Sequence, residues 1–283
     1  MVERQTGSDQ IVCAINWLAA LAVGSAFMLI LGDILIQGVG QISFSFIWDN
    51  PTNAGRDGGI FPTLVSTTLI LCVCLLVAVP VGLGTAAFLN ECSDESGRMG
   101  TTVRRSMDIL AGVPSIVFGL FGYAFFATAL GLGFSILSGG LTLSCMVLPL
   151  FIRSVEEGLR SVPREDRQAA TALGLSRWST FANVILPSAA PGITVGLILS
   201  VGRALAETAA LIFTSGYVDR VPGSLFDSGR SLSIHIYDLS TNVPGGNPNA
   251  YATALLLLVM LFAINVGASS IMDRWLSGRN VRV

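Results

Sequence analysis

The sequence predicts an all-α polytopic membrane protein with six transmembrane helices, and three observations predict it. First, 52% of the 283 residues are hydrophobic and only 12% charged, where a soluble domain carries roughly a quarter charged. Second, Ile11 to Gly32, Phe61 to Leu89, Ile109 to Ile152 and Ala250 to Met272 contain no Asp, Glu, Lys, Arg or His. Each run reaches the roughly 18 residues that a helix needs to cross a bilayer. Third, the basic residues, all sixteen of them arginine, collect in alternate connections between the runs. The same bunching argues against a water-soluble enzyme, since few polar residues are left to cover an apolar core.

The first span is placed near residues 11–36. Glu3, Arg4 and Asp9 leave no basic n-region before a long apolar run, so an uncleaved anchor is expected rather than a signal peptide. The second covers residues 61–89, with Pro80 expected to kink it, which membrane helices tolerate. Ile109 to Ile152 holds 44 residues, about 66 Å of helix against a hydrocarbon core of about 30 Å, so it must fold as a hairpin. The turn is expected between Gly131 and Gly140, with spans at 109–130 and 136–152. A fifth span runs from about Ser188 to Thr214, interrupted only by Arg203 and Glu207, and the sixth is 250–272.

Orientation follows from the arginines, because short translocated loops are poor in them. Arg4, Arg98, Arg104, Arg105, Arg153, Arg160, Arg164, Arg167, Arg177, Arg274, Arg279 and Arg282 fall on one side, and Arg56, Arg220 and Arg230 on the other. Both termini are therefore expected in the cytoplasm. The outer connections are then 37–60, the hairpin turn and 215–249, the last carrying an amphipathic stretch, Leu232 to Leu239, that suits either a partner or a solvated connector.

Several chemistries are disfavoured. No basic patch suggests nucleic acid, and with no lysine the chain has no Walker A loop of its own, so any ATP is hydrolysed by another chain. Four of the five cysteines lie inside uncharged runs and read as packing residues, not a disulfide framework. His235, the one histidine, has no Cys or carboxylate at ligand spacing, which argues against a zinc site. It also leaves a membrane phosphatase or protease without an acid-base pair inside the spans.

The most informative segment follows the fourth span. Gln168-Ala169-Ala170 is followed by Gly174 and, nine residues later, by Val184-Ile185-Leu186-Pro187. A short Ala-rich helix, a glycine break and a second short helix stopped before the proline would present a low surface able to enter a groove. The segment resembles the EAA loop of ABC-importer permeases, Glu-Ala-Ala, three residues, Gly, nine residues, Ile-x-Leu-Pro. Here Gln168 replaces the Glu and Val184 the Ile, removing the carboxylate that could form a salt bridge to the ATPase. The resemblance implies that Gln168, Ala169, Ala170, Gly174, Leu186 and Pro187 couple the chain to an ATPase subunit.

Arg203 and Glu207 stand inside the fifth span, where an Arg costs at least about 2.5 to 3.5 kcal/mol and marks a pathway or an internal ion pair. Spacing of i, i+4 would let the two pair on one helix face, and a stripe of Gly192, Gly196, Ser200, Ala204 and Thr208 beside them suits close helix packing. An Arg there suits an oxyanion, since its planar fork donates paired hydrogen bonds and stays charged; a staple with no substrate contact is the other reading. Arg203 to Leu211 resembles the Arg-x-x-Gly-Glu-Thr-Ala-Pro-Leu signature of the phosphate-specific (Pst) permeases, with Ala206 for the Gly and Ala210 for the Pro. Pro114 to Phe121 is similar to a second segment of that family, and Asp57 to Ile60 and Ile234 to Tyr251 resemble its PstA type more than its PstC type.

The resemblance, over about residues 55–275, implies a type I ABC importer permease (MetI-like) fold, with residues 61–276 as the core, 153–187 as the coupling loop and 277–283 as a cytoplasmic tail. It implies a multi-pass protein of the bacterial plasma membrane that moves inorganic phosphate, with a PstC-type permease, two PstB-type ATPases and a PstS-type binding protein as partners. No cofactor is expected on the chain itself, ATP and Mg²⁺ being bound by the ATPase. Arg203, Glu207, Thr208 and Ser115 are the expected pathway residues. The alternatives are a permease of the same fold for another oxyanion or an amino acid, and an ATP-independent transporter or channel.

Overall fold

The computed structural model describes residues 7–93 and 97–280. Glu3, Arg4 and Arg282 lie outside the described residues, as do the side chains of Asp9 and Arg279. The chain is helical almost throughout. α1 (Gly7–Val39) is apolar on all sides and exposed along nearly its whole length, a surface suited to lipid or another helix rather than water. It meets the last helix, α13 (Asn247–Asn280), near its C-terminal end, where Tyr251 Oη donates to Asp33 Oδ2 at 2.8 Å.

Residues 40–60 are ordered rather than a bare loop. They form α2 (Phe44–Trp48), a two-residue β1 (Pro51–Thr52), a 3₁₀ turn at Asn53–Gly55 and β2 (Asp57–Gly58), with Pro51 opposite Gly58 in antiparallel register. α3 (Phe61–Ala87) runs unbroken through Pro80 and continues into a widened π turn, Phe88–Cys92.

The third expected span is corrected by a bend of 103° between α4 (Arg98–Ala111) and α5 (Ser115–Gly122), the latter extended by a π turn over Tyr123–Ala129. Ile109 and Leu110 therefore belong to a charged, amphipathic helix, and the apolar run overstates the span because it cannot register the break at Gly112-Val113-Pro114. The hairpin turn falls where expected, with Gly131 and Gly133 at φ +69° and +62°. α6 (Ile136–Arg160) outlasts its apolar run by two turns, carrying Arg153, Glu156 and Arg160 beyond it.

α7 (Arg164–Ala172) and α8 (Arg177–Thr180) follow, and α8 passes through a π turn, Phe181–Ile185, into α9 (Leu186–Ser188). The expected stop before Pro187 does not occur. The proline directly follows the π turn in a helix that runs on to Ser188, and the chain bends by 65° only after Ser188. α10 (Ala190–Leu205), α11 (Ala209–Ile212) and α12 (Leu232–Thr241) precede α13. Among the described residues four helices are long and apolar enough to cross a membrane, and the count reaches six when each bent pair is taken as one span.

The core lies where α3, α6 and α10 converge. Cys74, Leu143, Val147, Val201 and Leu205 bury one cluster, and Leu89, Phe151, Val155 and Leu159 a second toward the arginine-rich end. Small residues set the spacings. A Cβ on Gly140 would come within 3.1 Å of the Ile70 carbonyl on α3, and one on Gly158 within 3.1 Å of Gly192 Cα on α10. The stripe expected on the fifth span thus packs on α6: Gly196 faces Ser154, while Ser200 and Ala204 are buried.

Candidate substrate pathway and coupling surface

Arg203 lies in the last turn of α10, which ends two residues later. The helix does not continue to Glu207, so the expected i, i+4 pair is not formed: Ala206 ends α10 as its C-cap, Glu207 lies in the link, and α11 starts at Ala209 after Thr208. Glu207 is buried, and its Oε1 accepts the Ala210 amide at 3.1 Å, satisfying an orphan donor at the start of α11. Its backbone carbonyl accepts from Ser233 Oγ of α12 at 2.6 Å. Arg203, by contrast, is exposed and makes no ion pair among the described residues.

Two distant motifs meet beside this break. Gly119 of α5 is turned against α11, where a Cβ would lie 2.8 Å from Ala210 Cα and 3.2 Å from its carbonyl. Ser115 opens α5 one turn earlier, on the same face as Gly119, and is half-buried. Thr208, half-buried, precedes α11. Ala210, standing where the resembled signature has Pro, supplies the very amide that Glu207 holds, a donor that Pro lacks.

At the arginine-rich end, α7 closes in a Schellman motif: the Gly174 amide donates to the Thr171 carbonyl and the Leu175 amide to that of Ala170. Gly174 holds φ +71° and has no neighbour within 4 Å of a Cβ position, so the glycine is required by its dihedral and not by crowding. Gln168 and Ala169 face outward, Ala170 and Pro187 are buried, and Leu186 is half-buried. Around the turn, Leu173 and Trp178 are 80% and 74% exposed, large apolar side chains in a loop that also exposes Gln168 and Arg177. Neither was marked by the motif; the signal lay in large apolar residues flanking a glycine in a polar loop. Ion pairs also escaped sequence reading. Arg104 and Arg160 both bind Glu156, at 2.8 and 2.9 Å, Arg153 pairs with Asp108, and Arg167 reaches Glu91.

At the opposite end, His235 is fully buried on α12. Its Nδ1 lies 3.3 Å from the Arg230 guanidinium, which also approaches Asp238. Burial, with Arg230 beside it, lowers its pKa from 6.5 to about 4, so the ring is neutral at physiological pH.

Comparison with known proteins fits this arrangement. Residues 78–279 match the family described as the binding-protein-dependent transport system inner membrane component. The chain belongs to that family. The permease is 31% identical over 284 residues to the probable ABC transporter permease protein YqgI of Bacillus subtilis, covering 95% of each chain. It is 37% identical over 216 residues to the phosphate transport system permease protein PstA 1 of Mycobacterium tuberculosis, covering 76% of this chain and 70% of the relative. With PstA of Xylella fastidiosa it shares 31% over 220 residues, 77% of this chain and 76% of that one. Among solved structures, a bacterial ABC transporter involved in the import of the acidic polysaccharide alginate superposes with TM-score 0.65 over 94% of this permease and 98% of that chain, at 16% identity. The MetNI methionine ABC transporter gives 0.56 over 76% and 94%, at 19% identity. The fold is that of MetI-type ABC importer permeases, and in sequence the permease is of PstA type.

Proposed function

We propose that this ABC importer permease forms half of the transmembrane pathway for inorganic phosphate, with Arg203 as the residue that meets the anion. The supporting observation is the exposed Arg203 at the end of α10, without an ion pair among the described residues. A charge in a spanning segment is retained where it faces water, a partner or a substrate. A guanidinium offers a phosphate two parallel hydrogen bonds and replaces part of the hydration that the anion loses. The PstA-named relatives, at 31–37% identity, agree with that chemistry.

The arginine-rich end is read as cytoplasmic, with both termini there. A second permease of PstC type completes the pathway, a PstS-type binding protein delivers phosphate, and two PstB-type subunits bind and hydrolyse ATP with Mg²⁺. The α7–α8 unit seats in the ATPase, with Leu173 and Trp178 added to Gln168, Ala169 and Gly174 as the surface it buries. Closing of the ATPases moves that unit, the spans rock, and phosphate released outside passes Arg203. Glu207, Ser233 and Ala210 keep the α10–α11 break in place, with Ser115 and Thr208 as hydroxyl donors near the path.

The test is labelled-phosphate uptake by proteoliposomes holding the permease with its three partner types. Uptake that requires ATP and the binding protein and resists excess sulfate is expected. Uptake suppressed by sulfate or molybdate, or a different solute carried, would overturn the phosphate assignment; uptake that persists without the ATPase would overturn the coupling.

A further inference from the structure

We propose that the Arg167–Glu91 ion pair is the strut through which movement of the α7–α8 unit reaches the transmembrane core, making both residues positioning residues for transport. This rests on the coupling role proposed above for that unit. Arg167 Nη1 lies 2.7 Å from Glu91 Oε1, in the π turn that ends α3, and Nη2 donates to the Leu159 carbonyl in the last turn of α6 at 2.9 Å. Asn90 Nδ2 donates to the same Glu91 oxygen at 2.7 Å and holds the carboxylate in place. One guanidinium thus sits at the C-terminal ends of both helices, where positive charge is favoured, and its planar fork fixes a direction as well as a distance.

Beside the ion pair the two sides are not packed together. A cavity of about 720 Å³ separates the two sides, with Gly84 and Phe88 of α3's end across from Thr171, Leu175, Trp178 and Phe181. Apolar anchorage of the unit lies at Val162, Phe181 and Ile185, with Ala170 also buried. Beyond the strut the route is continuous: α6 meets α10 at Gly158 against Gly192 and Ser154 against Gly196, two to three turns from Arg203. A push on α7 therefore acts on α3 and α6 together through one guanidinium.

The test compares phosphate moved per ATP hydrolysed by the full reconstituted importer carrying Glu91→Gln, Arg167→Met or both, with Arg164→Gln as a control that removes charge from the same helix. Copurification of partners measures assembly. Each single variant is expected to lower the ratio about fivefold or more, the scale of an ordinary coupling energy. The double variant should be no lower than the worse single, as for two ends of one contact, and Arg164→Gln should keep the native ratio. An unchanged ratio, with transport falling only as assembly falls, would overturn the strut, as would losses that multiply in the double variant. Should the native importer move no phosphate, the substrate reading alone fails. The strut is then judged by a spin label at Ala206, whose mobility should respond to ATP in the native complex and not in Glu91→Gln; an equal response in both would overturn it.

Discussion

Glu207 turns its carboxylate to the backbone amide of Ala210, three residues ahead, and not to Arg203, four residues behind. The helix ends between Arg203 and Glu207, so a spacing that would pair them on a continuous helix instead separates their roles. One residue holds the break, and the other is left with its charge uncommitted. Because the contact needs an acceptor rather than a charge, Glu207→Gln should retain assembly and thermal stability. Glu207→Ala should lose about 1 kcal/mol, the usual worth of such a cap. Thermal unfolding of the two variants in the same detergent separates them, and equal losses would mean that the charge itself is required.

The approach of Gly119 to Ala210 allows no side chain. A Cβ 2.8 Å from a backbone atom must push α5 from α11, and overpacking of this kind costs about 1 to 3 kcal/mol. Gly119→Ala is expected to lower the melting temperature, whereas Gly84→Ala, with nothing within 4 Å of the new methyl, should leave it unchanged or raise it. A matched pair of melts checks this.

Gly174 presents the opposite case. Its surroundings are open but its φ is +71°, so the penalty of substitution comes from the backbone, about 1 to 2 kcal/mol for an ordinary L residue and less for Asn. Transport and ATPase coupling should follow the order Gly, then Asn, then Ala, then Val. An order set by side-chain volume alone, with Ala ahead of Asn, would point to crowding at the ATPase instead.

Acid should loosen the end of the molecule opposite the arginine-rich one. His235 takes up a proton near pH 6.5 when unfolded but only near pH 4 in the fold, so between those values the unfolded state binds more protons and stability falls as pH falls. The full loss is on the order of 3 kcal/mol. Arg230, Asp219 and Asp238 are the charges acting on the ring. Protection factors across residues 230–241, which correct exchange rates for their intrinsic slowing in acid, should fall from pH 6.5 toward pH 4, and much less so in His235→Phe.

How much was legible in the sequence depended on the range of the interaction. Apolar runs located α1, α3, α6 and α13 because a bilayer selects for length and composition, which are properties of a single segment. They misplaced the start of the third span and the continuity of the fifth, since the bend at Gly112–Pro114 and the break between Leu205 and Ala209 are backbone events inside or beside apolar sequence. Gly174 was read as a turn, and its Schellman geometry is local to five residues. The Arg167–Glu91 contact joins residues 76 apart, the Arg104–Glu156 contact residues 52 apart. No spacing rule reaches so far. Arg203 was legible as a charge in the wrong solvent, but its freedom from Glu207 was not, because that depends on where α10 stops.

The central claim, that Arg203 meets the transported anion, is tested most directly by phosphate uptake of the reconstituted importer with Arg203→Ala and Arg203→Lys. Loss of uptake in the Ala variant with partners still assembled is expected, together with partial uptake and a raised phosphate requirement in Lys, which keeps the charge but not the fork. Native uptake by Arg203→Ala would contradict the claim and remove Arg203 from the pathway.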